Sequence, residues 1–594
     1  MRIGSQSTVE GLGRSGIMAR FQRDDSLLRK KILSFLPFMF LTNLARLLLV
    51  SVDGLVVGNL VGSSALASVS VFVPITNAFG IFSMLVSSGI STTISTGMGA
   101  ANLDELASRK RAARLLTILT ALAIGILQFP IASVMIRAYG LSPELQDMVW
   151  RYGIGVMLSM PFGLVSTICV YELQVLGRTK ILSVLAVVEG CLNLALDLLF
   201  VGVFKMGVAG AGYGTAVATT IRCVISVVYL YRKSDIYQCG NAKLRAQDVG
   251  QILRTGSSEA IYGVISAVQS FLMMKIILSV FGEGGGVMKA VCLFCFSLAS
   301  LAISSVQAST RPLIGIVTGG KDTEGIRLLI RRSIFLSSSI LGALTLVILA
   351  APGLFYRLHG VADIPEYGFL ALRLYALQFV FCGINCILRM YFANRGDIAY
   401  STVAAIIGYA SPLLFTYLMS LIYTPLFWLG HLISESVLLL TNFLHYRACL
   451  KEDAQAMQPG EEYLYLTVHP EDAIEASRSI RRFAEEHGYS ERVAYRAALC
   501  MEEMIHYAEA VNGTDRVDAQ VMVKFYDGGC VFSIMDDGRC IMLNEDDASK
   551  DLVSNYNLNK KIATSVSYQY VLEMNYTVFT FVDKPSQGAP AAAS

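Results

Sequence analysis

Charge is what this 594-residue sequence has least of. Asp, Glu, Lys and Arg together make up 16% of it, against roughly 25% in soluble domains. Hydrophobic residues make up 54% and the mean hydropathy is +0.56. A soluble chain is excluded on that balance, and an integral membrane protein is expected. The 12 cysteines form no bank of paired CxxC motifs and no zinc spacing. Most sit in apolar runs (Cys169, Cys191, Cys223, Cys292, Cys295, Cys382, Cys386), where they read as small buried hydrophobes. Cys292 and Cys295 have CxxC spacing, but inside Ala290-Val-Cys-Leu-Phe-Cys-Phe they read as helix packing. The first 30 or so residues are polar and basic, with no compact apolar segment before a cleavage site, so no cleaved signal peptide is expected. The formal net charge of +3 carries little information about partners.

What is present is a series of apolar runs. A membrane-spanning helix needs ~20 such residues. Twelve candidates lie near 35–58, 65–97, 113–139, 152–176, 181–203, 209–231, 260–281, 288–316, 334–355, 371–392, 400–422 and 424–446. Alternate loops differ in basic charge. One set carries about twenty Lys and Arg, including Arg20, Arg23, Arg29, Lys30, Lys31, Arg109-Lys-Arg111, Arg178, Arg232, Lys321 and Arg331. The other set carries Arg137, Lys205, Lys289 and Arg357. The positive-inside rule then places both termini in the cytoplasm, with the chain multi-pass in the plasma membrane.

The halves echo each other at an offset of about 220 residues. Ser95-Thr-Gly-Met-Gly-Ala-Ala-Asn-Leu-Asp-Glu105 follows the second span, and Ile314-Gly-Ile-Val-Thr-Gly-Gly-Lys-Asp-Thr-Glu324 follows the eighth. Six spans plus six, both halves starting inside, form parallel repeats about an axis along the membrane normal. Such repeats are a transporter architecture with the binding site between the halves. The fold expected is two pseudo-symmetric six-helix bundles, 31–232 and 257–450. They follow a basic tail (1–30), are joined by a linker (233–256), and precede a second linker (451–462), a cytoplasmic α/β domain (463–584) and a disordered tail (585–594).

Lone polar groups in the apolar runs are functional candidates, because a carboxylate there costs at least ~2.5–3.5 kcal/mol. Asp53 is one. Asn193 and Asp197, four apart, share a helix face in the fifth span. Asp53, Asp197 and Thr215 each lie five or six residues from the outer end of their span, which is roughly 8–9 Å deep. Oxygen-bearing side chains from three helices at one depth suit a hard cation or a proton relay. Taken singly, Thr215 and Asn193 are also explained by helix–helix hydrogen bonding, but two carboxylates would repel if both were ionised.

These residues resemble the multidrug and toxic-compound extrusion (MATE) transporters. Val52-Asp53, Val57-Gly-Asn-Leu-Val-Gly62, Ala65-Leu-Ala, Pro74, Asn193-Leu-Ala-Leu-Asp197, Gly207-Val-Ala-Gly-Ala-Gly-Tyr-Gly-Thr215 and Gln307-Ala-Ser-Thr-Arg-Pro312 carry the resemblance, over roughly 30–450. It implies a V-shaped pair of bundles exporting organic cations or drugs in exchange for Na⁺ or H⁺, and it assigns cation coupling to Asp53, Asn193, Asp197 and Thr215. The second half departs from the pattern. The eleventh span has no acid at the repeat position of Asp197. Lys275 and Arg389 are unexpected in a cation exporter, and they keep a lipid-linked flippase of the same superfamily as an alternative. His431 and Glu435, i and i+4, read either as mutually hydrogen-bonded or as a second proton relay. With Lys275 and Arg389 they make up a candidate polar site in the second half. Arg222 and Arg311, near inner helix ends, are expected to snorkel.

Beyond Leu450 the pattern becomes α/β, with strands expected at 463–468, 517–526, 530–535, 567–572 and 576–582 and helices at 470–487, 491–510 and 558–565. Met501-Glu-Glu503 late on a helix and Asp536-Asp-Gly538 at a strand end resemble the histidine-kinase-like ATP-binding fold of anti-sigma serine kinases. The resemblance assigns phosphate and Mg²⁺ to Glu503 and adenine to Asp536 and Gly538. Tyr507 stands where that family has Asn. The glycine-rich phosphate loop is missing, since Ser554-Asn-Tyr-Asn-Leu-Asn-Lys-Lys561 has no glycine and so lacks close backbone approach. A degenerate, non-enzymatic regulatory domain is therefore expected, with no required cofactor and no ATP or Mg²⁺. Expected partners are a drug-like small molecule, the coupling cation, membrane lipids and a regulatory protein at this domain, and no nucleic acid. A membrane-tethered nucleotide-binding regulator or kinase is the alternative from another class.

Overall fold

The structure, a computed structural model, describes residues 26–582 apart from 62, 100–102, 139–141, 234–243, 359–363, 456–460, 513–516 and 540–561. The helical region comprises α1 (Ser26–Leu60), α2 (Ser63–Gly99), α3 (Leu103–Ala138), α4 (Pro143–Val175), α5 (Thr179–Asp197), α6 (Val208–Lys233), α7 (Ala246–Gly319), α8 (Thr323–Ala350), α9 (Gly368–Ala376), α10 (Phe379–Arg395), α11 (Ile398–Ile422) and α12 (Leu429–Gln455). Among the described residues eleven segments are long and apolar enough to cross a membrane, and they match in order the second to twelfth expected spans. The first expected span lies within α1, where part of the chain's side chains are outside the described set. The protein is a mostly helical, multi-pass membrane protein.

Two expected boundaries change. Residues 246–256, read as linker, are the start of α7, because Val249 and Ile252 pack into the core beside α2. The seventh and eighth expected spans share one uninterrupted helical assignment. In a straight helix Ile252 and Arg311 would stand ~88 Å apart at 1.5 Å per residue. Yet a Cβ on Gly89 would lie 2.1 Å from the Ile252 carbonyl oxygen, while Arg311 donates to Ser88 at 3.3 Å. The chain therefore doubles back between them, and Gly284-Gly-Gly286 is the run least hindered from doing so.

Those contacts also join the two halves. α2 meets α7 where Gly256 backs onto the Leu85 carbonyl and Gly315 onto Ser95, leaving no room for a Cβ at either glycine. Small residues permit this approach. α2 and α7 are thus packed directly on each other toward the end of α2 that leads into the basic 109–111 run.

The C-terminal region is a five-stranded antiparallel sheet, β1 (Glu462–Val468), β2 (Ala519–Tyr526), β3 (Gly529–Asp536), β4 (Ser565–Val571) and β5 (Met574–Val582), in spatial order β1-β2-β3-β5-β4. Two helices, α13 (Ala473–Glu486) and α14 (Glu491–Asn512), cover one face. Val521, Val523, Phe525, Phe532, Ile534, Phe579 and Phe581 point into that core. The intervening positions are not left to water. Met535, Met574 and Tyr576 belong to the same core as Leu27, Ile90, Leu313 and Leu329 of the helical bundles. Alternation along the strands sends one face to the domain's own helices and the other to the membrane region. Half of the expected 558–565 helix (558–561) lies outside the described residues, and the other half is not helical as a run, with Ser565 already opening β4.

Candidate cation-coupling site

The site is built where α1, α4, α5 and α6 converge. Gly155 of α4 and Gly212 of α6 abut so closely that a Cβ on Gly155 would lie 2.3 Å from the Gly212 carbonyl carbon. This draws α6 against α4 and sets Thr215, one turn on from Ala211, beside Tyr152. Thr215 Oγ1 donates to Asp53 Oδ2 at 2.9 Å, and Tyr152 Oη donates to the same oxygen at 3.0 Å. Asn193 Nδ2 donates to Thr215 Oγ1 at 3.1 Å. Asp197 is fully buried against Gly214, where a Cβ would fall 2.3 Å from Asp197 Oδ1. Its carboxyl stands within reach of that of Asp53, so the two repel if both are ionised and share a proton if one is not.

The four residues singled out in the sequence are thus brought together. Three oxygens in the cluster, Asn193 Oδ1 and both of Asp197, are buried without a hydrogen-bond partner. A buried acceptor left so costs about 1–3 kcal/mol, more if charged. A donor set made only of oxygen, with three acceptors unfilled, fits a hard cation or a bound proton. A π-helical turn, Leu198–Val203, follows Asp197 and displaces the ordinary ladder just beyond the carboxylate.

Tyr152 was not foreseen. The fourth span reads as starting at 152 because Glu144, Asp147 and Arg151 precede it. In fact α4 starts at Pro143, those charges occupy its first turns, and Arg151 pairs with Asp147 at 2.7 Å. Tyr152 is then two turns inside the helix and not at its mouth. Glu189 was also missed. It lies two turns before Asp197 on the same stripe as Asn193, is buried, and pairs with Arg222 while accepting from Thr219 at 3.3 Å. Arg222 therefore turns inward to an acid instead of snorkelling.

In the second half His431 and Glu435 are not hydrogen-bonded to each other. Asn385 Nδ2 donates to Glu435 Oε2 at 2.7 Å, and Asn442 Nδ2 donates to Asn385 Oδ1 at 3.0 Å. His431 packs edge-on to Tyr375 with ring centres 4.9 Å apart, and its buried Nε2 has no partner. Arg389 lies close enough to Glu435 to act on it electrostatically. Lys275, on α7, is exposed.

In the C-terminal domain Asp536 Oδ1 accepts from Gly538 N at 2.9 Å and Asn575 Nδ2 at 2.7 Å. Burial first, and Asp537 after it, push its carboxyl up to about 6. Asn512 packs on Gly538 and accepts from Arg539 N at 2.9 Å, so the turn after Asp536 is tied into the fold. Glu503 is half-buried on α14. The 554–561 segment lies outside the described residues.

The MatE family model matches residues 39–199. Solved structures place the fold more fully. An outward-facing multidrug resistance MATE family transporter of the MOP superfamily is 19% identical with TM-score 0.67, covering 72% of this chain and 97% of that one. A MOP superfamily transporter from Pyrococcus furiosus is 19% identical with TM-score 0.66, covering 72% and 96%. The fold is that of the MATE transporters. Among curated proteins, "Probable multidrug resistance protein YpnP" of Bacillus subtilis is 26% identical over 35% of this chain, which spans 46% of that relative's length. "Probable multidrug resistance protein YoeA" of Bacillus subtilis is 21% identical over 53% of this chain and 70% of the relative.

Proposed function

We propose that the chain is a cation-coupled antiporter that exports drug-like or other small organic molecules, built as twelve spans in two six-helix bundles with both termini cytoplasmic. The observation that carries this reading is the pairing of Asp53, anchored by Thr215 and Tyr152, with the buried carboxyl of Asp197, which takes no N–H or hydroxyl donor of its own. Na⁺ or H⁺ entering from outside neutralises the pair and shifts the balance between outward- and inward-facing states. The names of the two Bacillus relatives and of the solved MATE transporters support multidrug export as the class. Arg389 beside Glu435 has an acid to neutralise it, which weighs against the flippase alternative. Gradient-driven efflux from vesicles, imposing Na⁺ or pH gradients in turn, tests the reading. Coupled efflux with one of the two is expected, and efflux indifferent to both overturns it.

The C-terminal domain acts in this account as a regulatory clamp. It touches α1 through Lys31, whose Nζ donates to the Glu573 carbonyl at 2.6 Å, and the α4–α5 turn through Gly177. It reaches the second half where Tyr465 meets Thr323 at 3.3 Å. A body seated on both halves at the end where they pack together favours the outward-facing state and must shift for the inward-facing one. Asp536, bonded within its own fold, supports a docking role over a nucleotide-binding one.

A further inference from the structure

Outside the coupling cluster and the docked domain, one group of side chains has no place in the transport reading. Asp397, His445 and Cys449 offer an oxygen, a nitrogen and a sulfur that all lie within 4.8 Å of one another. We infer that these three residues form a divalent-metal site of the zinc type, joining the start of α11 to the end of α12.

The donor set argues for the metal. A carboxylate, an imidazole and a thiol together suit Zn²⁺ better than the hard cations of the coupling site, with a fourth position left for water. The spacing argues for a site. His445 and Cys449 are four apart, one above the other on the last turns of α12. Asp397 is fixed opposite them as the amino-terminal cap of α11, its Oδ1 taking the Tyr400 N–H at 3.2 Å. That leaves Oδ2 facing His445 Nε2 at 2.6 Å. The imidazole is held in place by stacking on Tyr400, with ring centres 3.6 Å apart and planes 13° apart, and by Phe392 at 5.0 Å. Cys449 is buried, which keeps its sulfur from bulk water. Arg395, whose charge reaches Cys449, is engaged by Asp453 and by Glu452 at 3.0 Å. With that charge answered, the corner keeps an excess of acid.

Without a metal, the same geometry is an Asp–His hydrogen bond with a cysteine packed beside it. The two arrangements separate on one experiment. The full chain, purified in detergent without a polyhistidine tag and treated with chelator, is titrated with Co²⁺. The expected result is one equivalent bound, with a thiolate-to-cobalt charge-transfer band. That band is lost in Cys449→Ser, and affinity falls by about tenfold or more in Asp397→Asn. Displacement by Zn²⁺ bleaches the band. No band in the wild type, or an undiminished band in Cys449→Ser, overturns the assignment. Both proteins are compared by gel filtration, so that a misfolded variant is recognised. Because the ligands sit apart from Asp53 and Asp197, the titration is independent of whether the transport reading holds.

Discussion

Lys30 Nζ lies 2.5 Å from Asp537 Oδ2, although 507 positions of chain separate them. This ion pair joins α1 to the C-terminal domain, but it is not the main bond between them. Lys30 is 56% exposed, and exposed pairs contribute roughly 0.2–1 kcal/mol. Leu572, fully buried in the shared core, is worth more: a buried Leu→Ala change costs about 2–5 kcal/mol. Lys30→Ala should therefore leave the domain docked, while Leu572→Ala should release it. Hydrogen exchange at β5 amides reads the difference. Equal protection in wild type and Leu572→Ala would show that the docking contacts do not hold the domain.

The β4–β5 turn stores strain for that contact. Leu572 and Glu573 both have φ of 56°, the backbone of a type I′ hairpin that ordinarily uses Asn-Gly. Each such residue costs of order 1–3 kcal/mol. Gly177, itself at φ 74°, makes the approach feasible, since a Cβ there would stand 2.7 Å from Glu573 N. Gly177→Ala is expected to unseat the turn, with faster exchange at β4 and β5. Glu573→Gly is expected to make the hairpin more stable, without altering its register.

Asp536 gives a prediction with a defined sign. Its carboxyl is raised to about 6 by burial, from 3.8. The native state then holds a proton that the unfolded chain has lost, so stability falls as pH rises from about 4 to about 6. Two pH units correspond to on the order of 2–3 kcal/mol. Both bonds to Asp536 fall on Oδ1, an acceptor that Asn keeps. Asp536→Asn should therefore stabilise β3 against exchange at neutral pH and flatten its dependence on acidity. A loss of protection would mean that the ionised carboxylate is needed, as nucleotide binding would require.

Tyr152 donates to the same Asp53 oxygen as Thr215. A hydrogen bond to a charged group is worth about 1.5–3 kcal/mol. Tyr152→Phe should raise the half-saturating concentration of the coupling cation by about tenfold, with the folded protein intact. An unchanged value would place Tyr152 outside the site.

Much of this was legible in the residues, for physical reasons. Asp53 and Asp197 stood out because ionisable groups are rare and expensive in apolar runs, and helical rise alone put them at one depth with Thr215. Glu189 did not stand out, although it is equally buried, because its compensating charge, Arg222, lies 33 positions away near a helix end, where an arginine ordinarily snorkels. Tyr152 was hidden by the charged first turns of α4, which shift a hydropathy boundary without ending a helix. The strands of the C-terminal domain followed from alternation. Its docking did not, because a second buried sheet face shows in sequence only as fewer polar residues, with no sign of what covers it.

The central claim is that Asp53 and Asp197 act as one cation site. A double-substitution cycle on gradient-driven efflux tests it most directly, with Asp53→Asn, Asp197→Asn and both together reconstituted at equal density. The account predicts that either substitution alone abolishes the response to the driving gradient and that the double variant is no worse. Coupled efflux unchanged in both single variants would contradict it.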